Sequence, residues 1–225
     1  LMALTKFNFN SFDLTTAAGK GLAFNSSANG FETSSAGAMT LIKTLTASTS
    51  STLSFVDGSS SVVLDNTYPV YLFKFINLHP SADQSDFSFN ASVDSGSNYN
   101  VAKTSTFFYL YHRGSDAANT FQYDTNRDLA QSTSDKKITF NANVDSYSSG
   151  NGLLYLFNPG STTFVKHFLA VTNEDSQTSG EQGLSQQCYT AGYLNTTSAV
   201  DAIKFNYSSG NIDAGAIKLY GIKDS

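Results

Sequence analysis

Ala18-Gly19-Lys20-Gly21 has the outline of the end of a phosphate-binding loop, in which glycine backbone N–H groups face a phosphate and a lysine neutralises it. The complete loop needs Gly five residues before its second Gly, where Leu14 stands, and Ser or Thr after the lysine, where Gly21 stands. No nucleotide site is read there. Asp94-Ser95-Gly96-Ser97-Asn98 sets oxygen ligands at alternate positions, as calcium loops do, but the place that would carry the closing Glu is Ser105. Its Gly, Ser and Asn make it a hairpin loop. His79, His112 and His167 are too far apart to share a ligand spacing and read as hydrogen-bonded strand or rim residues. Cys188 could be the nucleophile of a Cys–His pair, but a lone cysteine is more often buried, and burial is the expectation.

Glycoside cleavage requires two carboxylates across a sugar cleft. Glu is confined to Glu32, Glu174 and Glu181, and most Asp stand beside Gly, Ser or Asn, where they serve turns. Sugar binding without cleavage fits the 12 tyrosines better, since aromatic faces stack on pyranose rings, although there is no Trp. The sequons at Asn25, Asn90, Asn195 and Asn206 are what chance supplies in such a chain. These residues point to no catalysis, no metal and no cofactor.

The elements that would position them are strands. Tyr71, Phe73 and Phe75 fall on one face of 68–77, with Leu72, Lys74 and Ile76 on the other, and 87–93 alternates with Phe87 and Phe89 on one side. Residues 106–112, including Phe107 and Tyr109, are apolar on both faces, which predicts a central strand covered on two sides. Further strands are read at 39–45, 53–56, 62–64, 137–144, 153–157, 163–171, 189–194, 202–207 and 216–222, and the only helix allowed is a single turn near 126–130. In the last strand Ile217 and Leu219 face the core, Lys218 and Tyr220 face away, and the turn at 208–211 is expected to fold it back beside Ile203 and Phe205. About ten strands predict an all-β, antiparallel β-sandwich of jelly-roll-like form over 38–225. Residues 1–37, rich in Gly, Ala, Ser and Thr from residue 15, read as an extended N-terminal arm or open loop.

The 225-residue chain carries a net charge of -5 with 14% charged residues, and Ser, Thr and Asn make up about a third of it. Without a basic patch nucleic acid is an unlikely partner, and one cysteine leaves no intrachain disulfide. The opening LMALTKFNFNSFDL lacks the apolar run of a signal peptide, and no stretch is long and apolar enough to cross a bilayer, so no membrane partner is expected. Such a chain can still leave a cell inside a larger particle.

Several phrases, taken in order, resemble a structural protein of tailed bacteriophages, marine ones above all: FINLHP at 75–80, FSFN at 87–90, NYN at 98–100, STFF at 105–108 with Tyr111-His112, LFNPGSTT at 156–163 with VKHF at 165–168, AGYLNTTSA at 191–199, and the closing IKLYGI strand. The likeness spans about residues 68–222. One departure is Ala214-Gly215-Ala216, where Gly-Thr before the Ile would match. The resemblance implies a virion protein without catalysis and gives it no place on the particle; the separate expectation is synthesis in the host cytoplasm and display on the virion surface. The expectation is a capsid decoration or cement protein, a homo-oligomer such as a trimer, partnered by major capsid or tail proteins. In it Phe7, Phe9 and Phe12 of the arm bury against neighbouring subunits. The alternative is a tail or fibre module that binds host-surface glycans.

Overall fold

The computed structural model describes residues 20–24, 27, 30–35, 37–116, 119–178 and 181–223, so Phe7, Phe9 and Phe12 lie outside the described residues. The chain divides into two compact units, one ending at Thr40 and one spanning Leu41–Asp224. In the first, β1 (Lys20–Phe24) and β2 (Phe31–Ser35) pair antiparallel from Lys20 opposite Ser35 to Phe24 opposite Phe31. The Phe24 and Phe31 rings stack at 5.0 Å. A hairpin therefore stands where the sequence reads as open loop.

The remaining strands are, in chain order, β3 (Met39–Thr46), β4 (Leu53–Val56), β5 (Val70–Pro80), β6 (Phe87–Ser92), β7 (Lys103–Arg113), β8 (Asn119–Tyr123), β9 (Leu129–Ser132), β10 (Lys136–Lys137), β11 (Gly150–Phe157), β12 (Lys166–Thr178), β13 (Glu181–Leu194), β14 (Ala202–Tyr207) and β15 (Ile212–Ile222). They form a four-stranded sheet in the order β10-β6-β14-β4 and a nine-stranded sheet in the order β3-β15-β5-β11-β12-β13-β7-β8, with β9 also on β7. The fold is an all-β antiparallel sandwich, and among the described residues no helix is present.

The two sheets meet through aromatic side chains. Phe205 of β14 is fully buried, and its ring lies 5.2 Å from Phe73, 5.3 Å from Phe75, 5.8 Å from Phe87, 6.3 Å from Phe55 and 6.4 Å from Phe89. Phe73 and Phe75 come from the large sheet and the others from the small one, so the cluster is the contact between layers. Leu154 and Leu156 of β11, Phe168 of β12, and Ile217 and Leu219 of β15 extend the same core from the large sheet. The β-branched and aromatic content of these strands favours the pleated state, and burial of the inward set supplies the driving force.

Several sequence expectations change here. Strand β15 does not fold back beside β14. It pairs with β5, Ile217 opposite Phe75 and Leu219 opposite Phe73, and the turn at 208–211 carries the chain from one sheet to the other. Residues 62–64 form no strand, although Val62 and Leu64 are buried. Of 137–144 only Lys137, the second residue of β10, belongs to a strand. Asn141 has φ 55°, and Thr139 turns its hydroxyl to accept the Phe87 N–H at 2.8 Å, so the chain leaves the ladder and drops Ile138 into the core. The helical turn allowed near 126–130 is a hydrogen-bonded turn at Asp124, from which the chain enters β9. Facing bulges occur where Gly215 has φ 104° and a Cβ would lie 2.4 Å from the Asn77 carbonyl oxygen, so only glycine fits.

Replacing Phe205 with Ala removes the ring that bridges the layers and should lower unfolding free energy by about 3–5 kcal/mol, read from the denaturant midpoint. An unchanged midpoint would show that the sheets are held together elsewhere.

Candidate functional site

On the outer face of the large sheet the cross-strand register aligns side chains into rows. One row runs Leu153, Val171, Tyr189, Phe108, Tyr123 across β11, β12, β13, β7 and β8, and the next runs Tyr155, Leu169, Ala191, Thr106. Tyr189 stacks on Phe108 at 4.9 Å, and Phe121 packs against Phe108 at 5.5 Å. Phe121 remains 73% exposed, Leu169 48% and Val171 38%. The sequence predicts β7 to be covered on both sides. Its inner side chains Phe107 and Tyr109 are buried, but the outer ones, Phe108 and Leu110, are only partly so. A contiguous exposed apolar face of this kind marks a contact surface more often than a scatter of single residues does.

At one end of this face the small residues Ala191 and Gly192 leave a groove of about 630 Å³ between Tyr123, Asp128 and Leu129 on one side and Phe157, His167 and Leu169 on the other. Beneath the groove Gly192 faces the inner side, where a Cβ would lie 2.5 Å from the Thr104 carbonyl oxygen and 2.7 Å from the buried Phe168 ring, so the strand needs glycine there. The groove has an ordered polar rim. Tyr123 donates its hydroxyl to Asp128 Oδ2 at 2.8 Å, and Gln131 Nε2 donates to Thr104 Oγ1 at 2.8 Å and Tyr193 Oη at 3.1 Å. Asn195 Nδ2 donates to Gln131 Oε1. Aromatic faces with fixed amides and a carboxylate can stack on and hydrogen-bond a polyhydroxylated ligand.

The inner side of this half of the sheet is closed by residues 124–148. Arg127 joins Asp86 at 3.0 Å and Asp124 at 2.7 Å and lies 3.8 Å from the Phe140 ring centre, while Lys137 reaches the other Asp86 oxygen at 2.9 Å. Beneath it Glu174 is buried, accepting the Phe140 N–H at 2.8 Å, and Gln186 stands opposite it on β13. Burial pushes the Glu174 carboxyl up to about 8, the Phe140 N–H opposing and the nearby Asp86 charge adding to the rise. Cys188 is buried, and the same desolvation raises its thiol, which is the reverse of a nucleophile's environment.

The other sequence candidates are not brought together. His79 lies 3.8 Å from Asp213, His112 lies 2.9 Å from Asp116, and His167 faces Tyr193 across the groove rim. Among the described residues no group of His, Cys, Asp and Glu is arranged to hold a metal ion. The Asp94 carboxylate accepts the Ser92 hydroxyl and both the backbone and side-chain N–H of Asn98, which hold it down to about 2 and close the hairpin loop on itself. The sequon residue Asn90 is buried. Sequence reasoning missed Arg127 as a hub and missed the lysines Lys103, Lys136 and Lys166, which are fully buried. A single lysine set among inward-facing positions was the available signal.

No known protein family, curated protein or solved structure matches the chain. The functional reading therefore rests on these surfaces and on the resemblance.

Glu174 sets a pH dependence. Its carboxyl sits near 4.5 when unfolded and near 8 when folded, so folding takes up a proton between those values and stability falls as pH rises across that window. Lys136 acts oppositely: burial draws its ammonium from 10.5 to about 7, so stability rises with pH from about 7 to 10.5. Glu174→Gln should flatten the decline between 4.5 and about 7 in chemical denaturation. A decline of unchanged slope would show that another group is responsible.

Proposed function

We propose that the protein is a non-enzymatic structural component of a tailed-bacteriophage particle, a decoration or cement protein of the head surface. The observation that carries the reading is the exposed apolar face of the large sheet, Phe121, Leu169 and Val171 among tyrosines and threonines, on a sandwich whose only cysteine is buried. An extended sheet face gives a rigid platform, because its side chains are fixed by cross-strand neighbours and lose little further freedom on contact. Low charge density suits a surface that must lie against another protein, since few ions need to be desolvated. The ordered phrases between residues 68 and 222 support the same assignment by resemblance, and the jelly-roll form, read from the number of strands, is part of the proposal.

The groove favours a second reading, a tail or fibre module that takes host-surface glycans between Tyr123, Asp128 and Tyr193. The two differ in abundance. Quantitative mass spectrometry of purified particles should find this chain in fixed proportion to the major shell protein. A few copies per particle would move it to the tail and favour the glycan reading, and its absence from particles would end both.

Leu169→Asp places a charge in the middle of the exposed face without touching the core. The variant should fold with an unchanged thermal midpoint yet load poorly onto particles in a competition with the parent chain. Equal loading would remove the face from the contact.

A further inference from the structure

Lys103 on β7 and Asn90 on β6 meet out of solvent beneath the loop at 133–135, the first fully buried and the second 1% exposed. Lys103 Nζ lies 2.6 Å from Asn90 Oδ1, and since a carbonyl bond is about 1.23 Å long, the amine is no more than about 3.8 Å from the carboxamide carbon. This is close to the separation from which a bound nucleophile attacks. The carboxamide is held on every side. The Ala91 N–H donates to Oδ1 at 2.9 Å, and Nδ2 donates to Asp135 Oδ1 at 2.8 Å and to the Thr133 carbonyl at 3.0 Å. The amine's other contact is the Val101 carbonyl at 2.7 Å.

We propose that Lys103 and Asn90 form an intramolecular amide bond that ties the four-stranded sheet to the nine-stranded one. The Nζ–H···Oδ1 bond gives way as the lone pair of neutral Nζ adds to Asn90 Cγ, and the Ala91 N–H stabilises the charge that develops on Oδ1. Asp135 accepts a proton from Nζ and delivers it to Nδ2, the Cγ–Nδ2 bond breaks, and ammonia leaves. One C–N bond forms and one breaks, so no oxidant or cofactor is needed. Burial lowers the Lys103 ammonium to about 8, Asp135 opposing that shift and Lys204 assisting it, so the neutral amine is accessible near neutral pH. Lys136 and Lys166 point their amines at the backbone carbonyls of Arg127 and Thr196, which offer no such leaving group. The proposal does not depend on the virion reading.

The test is the intact mass of the purified full chain, followed by peptide mapping. The expected result is a mass lower than the sequence by one ammonia, loss of tryptic cleavage after Lys103, and, after cutting at Tyr99 between the two residues, peptides bearing 90 and 103 that remain joined. Lys103→Arg and Asn90→Ala should restore the full mass, and Asp135→Ala should do so while leaving both partners in place. A folded chain that keeps its full mass after prolonged incubation overturns the bond. So does an ammonia loss without joined peptides, as succinimide formation at Asn151-Gly152 would give. A bond formed at undiminished rate in Asp135→Ala overturns the role given to that carboxylate.

Discussion

Everything in this sandwich is arranged around the need to cover Phe205. Its ring sits between the layers with phenylalanines from both sheets against it, edge-on to Phe55 and Phe75 and stacked on Phe87, and such packing fixes the distance and angle at which the sheets meet. Once β6 offers Phe87 and Phe89 inward, the pleat turns Ser88, Asn90 and Ser92 to the far side. Those polar side chains are buried too, because neighbouring loops cover them. Strand β6 is thus buried on both faces, by aromatic rings on one and by small hydrogen-bonding side chains on the other.

The segment between β8 and β11 shows the other side of that economy. It is held by Arg127 between two aspartates and beside an aromatic face, a desolvated arrangement that works only while every partner is present. Beneath it, Glu174 Oε2 and both amide atoms of Gln186 have no hydrogen-bond partner among the described residues. Such groups are costly when charged, which is why Glu174 favours its neutral form. With the inner half of β12, β13 and β7 covered, Leu169 on the outer face of β12 and Phe121 on the neighbouring β8 stay exposed among the described residues.

Alternation made the core legible in advance: period two placed Phe73 and Phe75 inward, and the inward side of the last strand was readable from Ile217 and Leu219 alone. Partner choice was not, because periodicity states which way a residue faces and nothing about which strand lies beside it. That is why β15 was expected next to β14 and lies between β3 and β5. Polar strands were missed for a related reason. The far halves of β12 and β13 read as loop because Asn173-Glu174-Asp175 and Gln186-Gln187 carry no apolar alternation, yet the ladder continues through them. At the groove, the tyrosines were visible in the sequence, but the amide relay from Asn195 through Gln131 to Tyr193 joins residues from separate loops and strands, a relation that exists only after folding.

The position of Phe205 along the chain has a consequence for assembly of the fold itself. Its five ring partners lie between residues 55 and 89, so a ribosome makes them well before the residue that organises them. Strand β5 likewise waits for β15 to fill the place between itself and β3. Contacts this distant in sequence must close large loops before they return any stabilisation, which makes folding slow and leaves unpaired strands and bare aromatic faces in the interval. In that interval the bare faces of one chain can meet those of another, so native yield should depend more on how crowded the chains are during synthesis than on how stable the finished sandwich is.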